Sequence, residues 1–153
     1  MARKMCFDVW KLKIDDYVPE LGRTVGEELL MPTKIYSATT YRISKSLPIH
    51  GFAHITGGGI EGNLLRIKPE GCNIVMYKES WDVPPVFSFL QNAGNISDKE
   101  MMRTFNNGIG MIAVVLENVA QKMVEQLSAL KEKGFIIGEV VERKKADRRI
   151  RWV

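Results

Sequence analysis

Three consecutive glycines, Gly57-Gly58-Gly59, follow Thr56 where an apolar, strand-like run at residues 52–56 (FAHIT) meets a helix-like run at residues 60–67 (IEGNLLRI). Glycine admits left-handed backbone and lets a ligand approach without a Cβ in the way. The N–H groups of such a turn can converge as an anion nest, and the positive end of the following helix adds to it. Asn63, one turn into that helix, is placed to donate a side-chain amide. The chemistry expected at Thr56, Gly57, Gly58, Gly59 and Asn63 is the holding of a phosphate ester. The plainer alternative is a tight strand-to-helix turn. The Gly-Lys-Ser/Thr ending of a Walker A loop is absent, as is a dinucleotide fingerprint.

A second polar loop runs from Arg103 to Gly110 (RTFNNGIG) and feeds a buried strand. The helix over residues 97–104 delivers Arg103 and Asn106 to that junction, a good place for a cleft. Gly108 and Gly110 flank an apolar residue there, and a bulge or close packing at the strand entry is the alternative. His54 sits mid-strand and shares a face with Phe52 and Thr56, although a lone His is more often a hydrogen-bonded core residue. His50, beside Pro48, reads as structural or solvated. There is no carboxylate cluster at metal spacing, and no metal ligands are assigned. No G-x-S-x-G elbow is present, and no catalytic residue is assigned. Cys6 and Cys72 have no obvious base beside them and read as inert thiols. Met101, Met102 and Phe105 read as packing residues, and Trp81 with Pro84, Pro85 and Phe87 as a packed corner.

The elements that must position these loops follow from periodicity. Residues 3–12 look helical, with Met5, Val9 and Leu12 on one side. This helix starts almost at residue 1 without a capping residue, as if an upstream partner were missing. Thr24 caps a short helix to Leu30, with Glu27 completing a capping box. Lys34 to Tyr36 could begin a strand, and residues 38–46 fit either helix or strand. Residues 72–77 read as a strand and 86–92 as a helix stopped by Gly94. Ser97 caps the next helix, with Glu100 as a second capping box. Residues 109–116 form a buried strand. Residues 118–133 form the clearest helix, capped by Asn118, lined by Val119, Met123, Leu127 and Leu130, and stopped by Gly134. Residues 135–141 form another strand, which 148–153 could join. The predicted fold class is α/β (α+β): a mixed sheet layered with helices. Strands 110–116 and 135–141 are expected centrally, with helix 118–133 crossing between them.

Composition sets the outer limits. With 153 residues, the chain is long enough for one domain with its own core. No apolar run approaches the roughly 20 residues of a membrane span, and no signal-like stretch opens the chain. Two cysteines make no disulfide framework, and a cytoplasmic location is the simplest expectation. The net charge of +4 is local: residues 143–153 hold six basic side chains and one acidic. Taking these from the totals of 22 and 18 leaves 16 basic and 17 acidic. A nucleic-acid-binding face is therefore not expected, and neither is a membrane partner.

The segments 27-EELLMPTKIY-36, 53-AHITGGGIEGNLLRI-67, 81-WDVPPVFSFLQNAG-94, 101-MMRTFNNGIGM-111 and 135-FIIGEVV-141, in this order, resemble the C-terminal domain of aminoimidazole ribonucleotide synthetase, also called phosphoribosylformylglycinamidine cyclo-ligase. The resemblance runs from about residue 3 to about residue 141. It implies an ATP-dependent ring closure in purine biosynthesis, in which formylglycinamidine ribonucleotide becomes aminoimidazole ribonucleotide with release of ADP and phosphate. It implies that residues 1–153 are the substrate-side domain of a two-domain, homodimeric enzyme. An N-terminal domain, absent from this chain, would bind most of the ATP and Mg2+. On this resemblance His54, Thr56, Gly57, Gly58, Gly59 and Asn63 match one family motif, and Phe105, Asn106, Gly108, Ile109 and Gly110 a second, with Arg66 and Arg103 on matching positions. Three positions depart from the family pattern: Gly62 stands where Glu is usual, Leu65 where Pro is usual, and Asn107 where Met is usual. Glu61 points about 100° away from position 62 on a helix and is a poor substitute. Alternatives are a segment of a related enzyme, such as selenophosphate synthetase or formylglycinamide ribonucleotide amidotransferase, or a non-catalytic phosphate-ligand-binding module.

Overall fold

A computed structural model of the chain describes residues 1–143 and 149–153. The basic stretch at the end is thus only partly described, since residues 144–148 fall outside. Among the described residues, no helix is long and apolar enough to cross a membrane.

The N-terminal third builds a small layer together with residues 85–94. Lys4–Val9 form a single wide π-helical turn, shorter than the predicted helix, with Cys6 its one buried residue and no side-chain cap at Arg3. Strands β1 (Tyr17–Val18) and β2 (Arg23–Thr24) pair antiparallel and lead into α1 (Val25–Leu29). The predicted capping box is present: the Glu27 N–H donates to Thr24 Oγ1 at 3.2 Å, and the Thr24 N–H donates to Glu27 Oε2 at 2.8 Å. That backbone N–H, foremost, and the Thr24 hydroxyl hold the Glu27 carboxyl below the usual carboxylate range. Cys6, Val18, Val25, Phe89 and Leu90 close this layer into a core. Burial pushes the Cys6 thiol up, in keeping with an inert side chain. Lys34 to Tyr36 are not a strand, and α2 occupies Ser37–Ser46.

The larger layer carries the loops of interest. Strand β3 (Ile49–His54) is followed by α3 (Gly59–Ile67) and β4 (Cys72–Met76). Helix α4 (Pro85–Gly94) follows, then α5 (Asp98–Thr104), β5 (Met111–Val115), α6 (Glu117–Ala129), β6 (Gly138–Glu142) and β7 (Ile150–Trp152). Strands β3 and β5 pair antiparallel as a two-stranded sheet, with His54 opposite Met111. A three-stranded sheet has the order β6-β4-β7, with β6 antiparallel and β7 parallel to β4, and so is mixed as expected. Ala53, Ile60, Leu64, Ile74, Met76, Ile112 and Ile150 share one core, which places α3 between the two sheets. Full burial of a side chain such as Ile60 contributes about 1.5–3 kcal/mol.

Several expectations are corrected. The central strand is β4, buried on both faces from Asn73 to Met76, whereas β5 pairs only with β3 and β6 is an edge. The described residues of segment 148–153 pair with β4, not with 135–141. Helix α6 starts at Glu117 without a side-chain cap and ends at Ala129. Lys131, not Gly134, takes the left-handed backbone that follows. Its apolar stripe is half-buried, because it faces a cleft instead of a filled core. Gly94 is the last residue of α4, and Asn95 makes the left-handed stop. Ser97 caps α5, but the Glu100 carboxylate turns to the Thr104 hydroxyl, so the second box is only half made.

Candidate functional site

Because β3 and β5 are antiparallel, the chain leaves β3 and enters β5 at the same end. The glycine loop and the loop at residues 105–110 therefore meet there. The Ile55 N–H donates to the Gly110 carbonyl at 2.9 Å, which ties them directly. Helix α5 ends against the glycine loop as well. A Cβ at Gly59 would lie 2.8 Å from the Arg103 carbonyl oxygen and would overlap that of Met102.

Gly58 (φ 96°) and Gly59 (φ 62°) both occupy left-handed backbone. Thr56, Gly57 and Gly58 are exposed, and nothing lies closer than 3.9 Å to where a Gly58 Cβ would stand. The Gly59 N–H turns back to the Thr56 carbonyl, whereas the N–H groups of Gly57 and Gly58 find no backbone acceptor among the described residues. These two N–H groups sit at the positive end of α3 and form a surface on which an oxyanion could rest.

Asn63 has a different position from that of an outward donor. It is buried, and its amide nitrogen donates inward to the carbonyls of Gly59 (2.8 Å), Gly57 (3.3 Å) and Thr56 (3.4 Å). It holds the loop's carbonyls together and so leaves the N–H groups on the outside. Arg66 is exposed in the last turn of α3, about 10 Å along the axis from Gly59, and is not brought to the loop. The Arg103 side chain stands in solvent at the end of α5, beside the loop, with only a 4.0 Å contact to Glu100. His54 is exposed and meets the edge of the Tyr36 ring, with centroids 5.9 Å apart.

The second loop is tightly built. Asn106 Oδ1 accepts from the Gly108 N–H at 3.1 Å, a side-chain turn. Asn107 is buried and left-handed (φ 47°). Its amide donates to the carbonyls of Met101 (3.2 Å) and Phe105 (3.3 Å), and its own carbonyl accepts from the Trp81 indole at 2.8 Å. A Cβ at Gly108 would lie 2.5 Å from Pro84, and one at Gly110 would overlap the Tyr36 hydroxyl. These glycines make room for Pro84 and Tyr36. The structural roles of Tyr36 and Asn107 are not read from the sequence in advance. The Asn107-Gly108 turn dipeptide was the available signal for the latter.

A cleft of about 1260 Å3 lies beside the second loop. It opens between β5, α6 and residues 134–140, with the Lys34–Glu132 ion pair on its rim. Its walls are mostly apolar, and it touches Gly108 and Gly110 but not residues 54–59. The cleft therefore adjoins the second loop and not the glycine loop. Among the described residues, no three His, Cys, Asp or Glu side chains gather as a metal site.

A family model described as AIR synthase related protein, C-terminal domain, matches residues 4–151. The chain is 47% identical over 152 residues to a phosphoribosylformylglycinamidine cyclo-ligase of Desulfatibacillum aliphaticivorans, covering 99% of this chain and 44% of that protein. Proteins of the same name from Geotalea uraniireducens and Citrifermentans bemidjiense are each 48% identical over 142 residues, covering 93% of this chain and 41% of theirs. The chain thus spans less than half the length of the curated relatives it matches.

Proposed function

The chain belongs to the family of AIR synthase related proteins, as its C-terminal domain, and from that premise we propose that it is the substrate-side domain of an ATP-dependent cyclo-ligase. The reaction proposed is that of its relatives' name: formylglycinamidine ribonucleotide and ATP give aminoimidazole ribonucleotide, ADP and phosphate. ATP phosphorylates the formyl oxygen, the amidine nitrogen attacks the activated carbon, and that oxygen leaves with the phosphate. Catalysis of this kind depends on positioning and on stabilising charge. The observation that supports a role for this chain is the exposed pair of N–H groups on Gly57 and Gly58 at the positive end of α3. They suit a phosphate ester of the substrate, with Arg103 beside them to add charge.

ATP and Mg2+ are assigned mainly to an N-terminal domain. Among the described residues, no three His, Cys, Asp or Glu side chains gather to hold Mg2+. A homodimer formed largely by that other domain, and a cytoplasmic location, belong to the same proposal. Calorimetry on the 153-residue chain tests the substrate role. Formylglycinamidine ribonucleotide should bind weakly, and Gly58→Val should abolish the heat, because a β-branched residue at φ 96° cannot keep the nest's backbone. Unchanged affinity in that variant would remove the nest from the mechanism. Robust cyclisation by this chain alone would refute the division of labour between domains.

A further inference from the structure

Three helices of this molecule carry a glutamate at the third helical position, and in α5 that residue, Glu100, accepts from the Thr104 hydroxyl instead of from its N-cap. In α1, Glu27 reaches back and accepts the N–H of its N-cap, Thr24, at 2.8 Å. That is the ordinary behaviour of Glu at this position. In α3 the N-cap is Gly58 and the third residue is Glu61. Here the carboxylate does not return: Glu61 Oε1 accepts the indole N–H of Trp152 at 2.7 Å, across 91 positions of sequence. The Gly58 N–H is left without a backbone acceptor. Trp152 is seated by its own strand, since β7 pairs parallel with β4 and places Trp152 opposite Met76, and its ring packs against the core that holds α3.

We propose that Trp152 is a positioning residue that keeps the Glu61 carboxylate off the Gly58 N–H and so keeps the anion nest open. The nest's use for phosphate rests on the function proposed above; the withholding of Glu61 does not. A carboxylate capping Gly58 would occupy one of the two free donors and set a negative charge where an oxyanion would sit. The indole bond prevents this with a neutral donor. The contact also satisfies a half-buried indole N–H, as such groups require. Its placement on the carboxylate at the third position of α3 gives it a second consequence.

Amide NMR separates the two claims. In the wild-type chain the Gly58 amide should exchange quickly with solvent. In Trp152→Phe, which keeps the ring packing, it should move downfield and exchange at least several-fold more slowly. Adding Glu61→Ala to that variant should return it to the wild-type state. A Gly58 amide unmoved by Trp152→Phe would overturn the proposal. So would slowed exchange that persists in Trp152→Phe/Glu61→Ala, because the effect would then not pass through Glu61. Inorganic phosphate is then titrated into the same samples. Expected are shifts of the Gly57 and Gly58 amides in the wild type, several-fold weaker in Trp152→Phe and restored in the double variant. If phosphate shifts no amide in any sample, the reading of the loop as an anion site fails, while the exchange result still decides the role of Trp152.

Discussion

The two glycine-bearing loops at the end of the β3–β5 pair are built on the same device and arrive at opposite results. Each is gathered by a buried asparagine amide that donates to backbone carbonyls, Asn63 in one and Asn107 in the other. Asn63 stands on a helix and pulls the carbonyls of Thr56, Gly57 and Gly59 inward, so that N–H groups remain outside over open space. Asn107 is itself the turning residue, with its carbonyl under the Trp81 indole and Gly108 closed against Pro84. One loop is a rigid, open donor surface; the other is a packed joint. A run of glycines therefore does not by itself mark a ligand site. What distinguishes the two is whether the space a side chain would fill is empty.

The largest expected effect breaks the joint between the loops. Gly59→Ala puts a Cβ at φ 62° against the backbone carbonyls of Met102 and Arg103, which cannot swing aside. Urea unfolding should report a loss of about 4 kcal/mol from strain and overpacking together. A loss below about 1 kcal/mol would mean that α5 does not lock the glycine loop. Next come the two staples. Asn107→Ala should cost about 3 kcal/mol, and Asn63→Ala about 2 kcal/mol, since both orphan carbonyls but only Asn107 also bears a left-handed backbone. Equal losses, measured in the same denaturant series, would erase the proposed difference between the loops. The smallest effect has the opposite sign. Gly62 lies mid-helix, its φ is not positive, and a Cβ there meets nothing within 4 Å. Gly62→Ala should stabilise by about 0.5–1 kcal/mol, read as a raised urea midpoint at unchanged slope. Destabilisation would show that the face beside the open loop is not free.

Local signals are legible in the sequence. The Thr24–Glu27 box and the strand–glycine–helix junction depend on neighbours within a turn, and they stand where the pattern places them. Long-range partnership was not legible. Residues 110–116 are more apolar than 72–76, yet β4 is the central strand, and it carries a buried Asn73 that no pattern would put there. Periodicity reports that a strand is buried but not which strands flank it. The pairing of β7 with β4 depends on residues about 75 positions apart, which leave no local trace. At the site, the residue types were legible but their direction was not. Asn63 has the residue type of a ligand donor but holds its own loop. Gly134 has the residue type of a helix stop, but Lys131 turns the chain, and a Cβ at Gly134 would lie 2.8 Å from the Leu127 side chain.

The order of the three-stranded sheet has a kinetic consequence. Strand β4 takes both of its neighbours from chain that follows about 60 to 75 positions later. Contacts so distant in sequence must repay a large loop closure before they stabilise anything, which slows folding. Until β6 and β7 arrive, an apolar strand is left with two open edges, the arrangement that invites pairing with another chain. Yield on refolding should therefore fall as protein concentration rises, even though the finished sheet leaves β4 no edge at all.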